Sequence, residues 1–277
     1  MNMMRKFLFF IIIASVMVSC HLKPTDEERA QLFLTDARTF YEQKNVEAAK
    51  IQLDSIHQLF PTLVSYRRQA DTLGWHVELL EIQRNLVYLD SMLPLKTAEV
   101  IALKDPFLFE KNEKYQTIGT FVFRNLKTES NIGRCYLKPY TDENGQLYIT
   151  SYYCGRPISH NKLKVSVGDL FSETLSVEQS EQHQYTDLGK SYETVLFNPQ
   201  VLSNVPDFIT LHKYSPIKIT LSGGTRDYSY FLSDSDRTTF VETYQFATVL
   251  ADLSQLNALQ RRMMIRKNLL IKKLNIQ

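Results

Sequence analysis

The side chains able to do acid–base or nucleophilic work in this sequence are few and scattered. Three histidines, His160, His183 and His212, fall in its strand-patterned middle. Each is a candidate proton carrier, because imidazole titrates near neutral pH. Cys154 with His160 would supply a thiol nucleophile and its base if the thiolate were stabilised in a partly exposed site. A buried structural cysteine beside a turn histidine has the same sequence. Ser159 precedes His160 directly, and adjacency alone makes no relay. His183, Tyr185, Asp187 and Glu193 fall within eleven residues. With His160 they are candidate ligand-binding residues of a polar pocket, or else the solvated face of two strands. Tyr152, Tyr153, Tyr185, Tyr192, Tyr228 and Tyr230 suggest either an aromatic platform for a glycan or peptide, or cross-strand packing.

No His-Glu-x-x-His, phosphate loop, dinucleotide glycine pattern, Cys-x-x-Cys or Gly-x-Ser-x-Gly occurs. No metal site, cofactor or catalytic residue is therefore assigned. Two functions remain: a non-enzymatic binding or structural module, and a small envelope-polymer hydrolase using residues around His160 and His183. The balance of 32 Lys and Arg against 30 Asp and Glu gives no basic field, which argues against a nucleic-acid partner.

These residues have to be positioned by the rest of the chain, and its first 20 residues say where. Arg5 and Lys6 precede a run from Phe7 to Val18, then Ser19-Cys20. Twelve residues are too few to span about 30 Å of hydrocarbon, so a signal peptide fits better than a transmembrane helix. Met17-Val18-Ser19-Cys20 resembles the bacterial lipobox, which implies lipidation of Cys20 and a stable membrane anchor. A plain secretory signal with an incidental cysteine is the alternative. Surface-exposed Bacteroidota lipoproteins carry acids directly after that cysteine. Here His21-Leu22-Lys23-Pro24-Thr25 follows, which favours the periplasmic face of the outer membrane over the cell surface.

Residues 20–104 show apolar spacing of three and four, which predicts helices. Thr25 with Glu28 is a capping-box signature. Phe33, Ala37, Phe40, Ala49, Leu53 and Pro61 resemble a tetratricopeptide unit over Ala30 to Pro61, with Asp36 and Ile56 departing from its pattern. Leu53-Asp54-Ser55-Ile56 recurs as Leu89-Asp90-Ser91-Met92, implying two helical hairpins. A spacer that lifts the next domain off the membrane is the simplest role for them.

Residues 115–232 change to a period of two. Strands are expected at 117–124, 134–140, 147–154, 164–167, 172–177, 192–197, 208–212, 217–222 and 227–232, as an antiparallel β-sandwich or partly closed barrel. The turn at Asp142-Glu143-Asn144-Gly145 sets the register. A two-residue loop makes paired positions sum to 289 and opposes Cys135 to Cys154; a Gly145 bulge makes the sum 288 and puts the cysteines on opposite faces. Pro139 favours the second, where it falls at a non-hydrogen-bonded pair, so no disulfide is expected.

Residues 235–277 form one long helix, expected to pack back on the helical stem beside Leu86 and Leu93. The fold class is therefore α+β. Arg261, Arg262, Arg266, Lys267, Lys272 and Lys273 have no acid among them after Asp252. They suit either anionic lipid or a solvated face with a favourable dipole.

Together Ile132-Gly133-Arg134, Ser151-Tyr152-Tyr153-Cys154-Gly155, Ile158-Ser159-His160-Asn161, Tyr192-Glu193-Thr194, the two Leu-Asp-Ser segments and the closing helix resemble an uncharacterised family of Bacteroidota lipoproteins. That likeness implies architecture and origin, with an envelope protein or glycan as partner, and no mechanism. Asp54-Ser55-Ile56, Asp71-Thr72-Leu73 and Asp90-Ser91-Met92 also resemble the short pattern O-glycosylated in exported proteins of these bacteria, making Ser55, Thr72 and Ser91 candidate sites.

Overall fold

The computed structural model describes residues 24–187 and 190–275. Cys20 and the signal segment lie outside the described residues. The chain divides into two compact units, residues 1–87 with 263–277, and residues 88–262.

The first unit is helical. Helix α1 (Asp26–Glu42) starts at the expected capping box, with Thr25 Oγ1 accepting from Glu28 N–H and Glu28 accepting from Thr25 N–H. Helix α2 (Val46–Leu59) is capped by Asn45. Ala30, Ala37 and Ala49 are fully buried, the small residues that let two antiparallel helices approach. Leu34, Leu53, Ile56 and Val77 complete this core. Helix α3 (Val64–Leu103) begins here, and the end of the last helix, α5 (Asp234–Asn275), lies along it. Arg266 grips Glu78 through two bonds of 2.6 and 2.7 Å, Lys273 sits over the Trp75 ring, and Leu270 is fully buried.

The second unit holds two antiparallel sheets. The strands are β1 (Phe107–Glu110), β2 (Thr120–Phe123), β3 (Tyr136–Asp142), β4 (Leu147–Gly155), β5 (Lys162–Val167), β6 (Leu170–Glu173), β7 (Gln182–Asp187), β8 (Lys190–Phe197), β9 (Lys218–Ser222) and β10 (Tyr228–Phe231). One sheet has the order β1-β2-β3-β4-β8-β7, the other β10-β9-β5-β6. Leu137, Ile149, Val195 and Phe197 of the first meet Leu163, Val165, Ile219 and Leu221 of the second in one core. Phe240 and Ala247 of α5 join it, and Phe246 stacks on Phe107 at 4.5 Å. Here too α5 lies against α3, with Lys96 to Asp252 at 2.9 Å and Gln260 to Asp90 at 3.1 Å. The long C-terminal helix packing on helices is thus as expected.

Several expectations need correction. The sheets are open, so the barrel alternative is excluded in favour of a sandwich-like pair. The segment 208–212, expected as a strand, belongs to helix α4 (Val205–Leu211). Pro206 and Asp207 sit in its first turn, a helix-start signal that outweighs the β-branched residues after it. Strands β1 and β7 were not anticipated: β1 lies before residue 115, and Gln-His-Gln-Tyr-Thr-Asp of β7 has no apolar alternation. The Leu89–Met92 echo lies inside α3 instead of in a second hairpin, and Pro94 is contained within that helix.

The register of β3 and β4 sums to 288 throughout, from Tyr136 opposite Tyr152 to Thr141 opposite Leu147. Gly145 has φ +79°, and its N–H donates to Asp142 while Asp142 N–H donates to Gln146. This is the bulged turn that Pro139 requires. Cys135 and Cys154 are both free, and Cys154 N–H points at Cys135 Sγ at 3.4 Å. Two alkylated thiols are expected when the oxidatively produced protein is alkylated without reduction and weighed by mass spectrometry. A Cβ on Gly145 would overlap the backbone of Ala247 and Ala251. Gly145→Ala, strained in φ as well, is expected to cost at least about 2 kcal/mol in urea denaturation.

Candidate functional site

Glu193 stands at an inward position of β8, in the alternation Ser191, Glu193, Val195, Phe197. It is 3% exposed. A carboxylate so placed has to be solvated by the protein itself. Its Oε1 accepts from the backbone N–H of Ile158 at 2.6 Å and of Ser159 at 3.0 Å, and from Gln184 Nε2 at 3.3 Å across the β7–β8 pair. Its Oε2 lies 3.0 Å from His160 Nδ1. Burial pushes the Glu193 pKa up, but the Ser159 and Ile158 N–H groups and His160 outweigh it, holding the group below the ordinary carboxylate value.

An ionised carboxylate only accepts, so His160 Nδ1 carries the ring proton. Nε2 is left to accept the Ser151 O–H, at 2.7 Å. Burial pushes the His160 pKa down against the upward pull of Glu193, and the ring stays neutral. Ser151 lies on the inner face of β4, opposite Leu137 on one side and Val195 on the other. Ser151 and His160 have no exposed surface.

Serine, histidine and acid thus stand in the order of a hydrolytic relay. Their orientation to solvent is the reverse of what a relay needs. A cleft of about 460 Å³ lies beside them, lined by Ser159, His160, Asn161, Gln179, Gln182, His183, Gln184 and Glu193 among others. It meets the histidine and the glutamate; Ser151 is not in its wall. The hydroxyl points into the apolar layer with Ile149 and Tyr153, where no acyl group reaches it.

The structure brings His160 and Glu193 together, as the pocket expectation required, and separates them from Tyr185. Register sets His183 beside Thr194 and Tyr185 beside Tyr192, on the opposite face of the sheet from Glu193. Tyr185 stacks on Tyr192 at 5.0 Å, and Tyr136 on Tyr152 and Tyr140 on Tyr148 do the same, so these rings spend a face on each other. His212 ends α4 against Phe208. Cys154 gains no base from His160, whose two nitrogens are engaged by Ser151 and Glu193. Ser55, Thr72 and Ser91 lie in helices, each hydroxyl donating to a carbonyl of the preceding turn, Ile51, Arg68 and Tyr88. Ser151 and Gln184 were not singled out from the sequence. The available signal was a polar residue at the inward position of Leu147, Ile149, Ser151, Tyr153.

Among the described residues no group of three or more His, Cys, Asp and Glu is placed to hold a metal ion. No described helix is long and apolar enough to cross a membrane. Comparison with known proteins gave no match to a family model, a curated sequence or a solved structure.

The two shifts have one sign for stability. The folded chain keeps His160 and Glu193 deprotonated below their ordinary values of 6.5 and 4.5, so the unfolded chain binds more protons on acidification. Stability is expected to be level above about pH 7, to fall as pH drops through the ordinary histidine value, and to fall further through the carboxylate one. His160→Gln, which keeps a donor and an acceptor, flattens the first part of that fall. Urea denaturation of both proteins across this range checks it. Glu193→Gln turns an acceptor-only group into one with an N–H₂ among N–H donors, and is expected to cost about 2–4 kcal/mol.

Proposed function

We propose that this chain is a lipid-anchored protein of the bacterial outer membrane, held through Cys20, that acts by binding an envelope protein or glycan and not by catalysis. The observation that carries the second half is the orientation of the Ser151–His160–Glu193 chain. Its nucleophile is sealed in the core while its acid end borders the cleft. That order suits a clasp that fixes the cleft wall. The wall itself is rich in primary amides, each of which donates and accepts, and this suits a ligand bearing many hydroxyl or peptide groups. The first half is supported by the order of charged start, short apolar run and Ser19-Cys20. The absence of acids at 21–25 favours the periplasmic face, and the extended likeness to Bacteroidota lipoproteins agrees in origin.

The hydrolase is the second reading, favoured by the relay order alone. A fluorophosphonate probe separates the two. No labelling of Ser151 is expected in the native protein, and label on Ser151 that disappears in Ser151→Ala would establish the hydrolase. Ser151→Ala is expected to cost about 1–3 kcal/mol by orphaning His160 Nε2. Metabolic labelling with an alkyne fatty acid tests the anchor, with incorporation expected in the native chain and lost in Cys20→Ala.

A further inference from the structure

The last turns of α5 present a face that neither packing nor pairing explains. Leu270 points inward and is fully buried, while Ile265 and Leu269 are 63% and 51% exposed, with Met264 and Ile271 exposed beside them. Arg261, Ile265, Leu269 and Lys272, all exposed, follow steps of four, four and three residues, one row on the side of the helix away from Leu270. The row therefore sets two bare apolar side chains between two cations. No acid follows Asp252 in the sequence. Glu78, the acid nearest this stretch on α3, is already gripped by Arg266.

A solvated helix face would show polar side chains here, and a protein interface would gain little from uncompensated cations. Apolar groups that enter an acyl boundary, with lysines that reach back to headgroup level, are the composition of a helix lying in a membrane surface. We infer that this face of α5, built on Arg261, Ile265, Leu269 and Lys272, docks in plane on an anionic lipid surface. Charge selects that occupant. The inference draws on the anchor reading for proximity only: five residues separate Cys20 from the start of α1 at Asp26, a reach of at most roughly 20 Å, which lets the helical unit lie along the bilayer to which Cys20 would hold it. A docked face turns a tether into a fixed orientation.

The test uses the mature chain beginning at His21, which contains every described residue and carries no lipid. Its sedimentation is measured with vesicles of phosphatidylcholine alone and of phosphatidylcholine with phosphatidylglycerol in a three-to-one ratio. Binding to the mixed vesicles only, weakened by raised salt, is expected. Arg261→Gln with Lys272→Gln should lower the affinity on the order of tenfold or more. Ile265→Ser with Leu269→Ser should also lower it, and exposed substitutions of this kind leave the helical circular dichroism unchanged. Equal binding to both vesicle types, no binding to either, or binding indifferent to these substitutions would overturn the inference. So would a stable dimer in solution that requires Ile265 and Leu269. Vesicle binding in a chain that fails to take up fatty acid at Cys20 would remove the anchor and leave this face standing, so the two fail separately.

Discussion

The β-domain depends on one ionised carboxylate held away from water. The chain leaves the six-stranded sheet at Gly155 and joins the four-stranded sheet at Lys162, so residues 156–161 must cross the layer between them. A crossing buries backbone groups that no ladder satisfies. Glu193 takes the N–H groups of Ile158 and Ser159. The Ile158 carbonyl accepts from Thr225 N–H at 2.8 Å, the Arg156 carbonyl from Tyr153 and Arg226, and Asn161 N–H donates to the Ser222 carbonyl. Gly224 lets the neighbouring turn close on this segment, since a Cβ there would overlap the carbonyls of Ile158 and Ser159.

Magnitudes decide whether such an arrangement holds. Ser159 lies at φ +54°, a left-handed conformation that costs a non-glycine residue about 1–3 kcal/mol. Each bond to a charged acceptor contributes about 1.5–3 kcal/mol, and the turn at Ser159 follows two N–H groups that reach one oxygen of Glu193 and leads into His160, which reaches the other. The strain is offset by the bonds it permits. His160 completes the set, carrying a proton to Oε2 and leaving Nε2 for Ser151. Each member of the chain has its partner, which is the condition under which a polar network in an apolar core stabilises a single arrangement. The same completeness explains why the serine is no nucleophile: its hydroxyl is the last, innermost link.

Local signals made much of the fold legible. The capping box at Thr25, the buried small residues of the first hairpin, the Gly145 bulge and the position of Pro139 each act within a few residues, and each had one physical solution. Strand β7 had none, because its pattern is polar on both faces and its place is set by pairing with β8. Residues 208–212 read as a strand while belonging to a helix that Pro206 starts two residues earlier. The site was half legible. His160 and Glu193 stand out by type, whereas Ser151 and Gln184 become partners only through register, and the inward aim of Glu193 depends on the strand parity of β8. Parity also separated Tyr185 from Glu193, two residues close in sequence and on opposite faces in the sheet.

Helix α5 shows how one element can read ambiguously because it serves two cores. In the second unit it buries Phe240, Phe246, Ala247, Val249 and Leu250, so its spacing there is that of a packed helix. After Met263 only Leu270 is fully buried among the described residues, although Leu, Ile and Met become more frequent there. Leu253, Leu256, Met263, Leu270 and Leu274 stay half-buried or buried along one stripe, while Met264, Ile265 and Leu269, which lie off it, are exposed. Ion pairs do not make up the difference, since exposed pairs contribute about 0–1 kcal/mol, and the bidentate Arg266–Glu78 pair sits half exposed. Two of the apolar residues that packing does not use, Ile265 and Leu269, stand in one row between Arg261 and Lys272. A helix that needed them only for folding would have placed them on the side of Leu270.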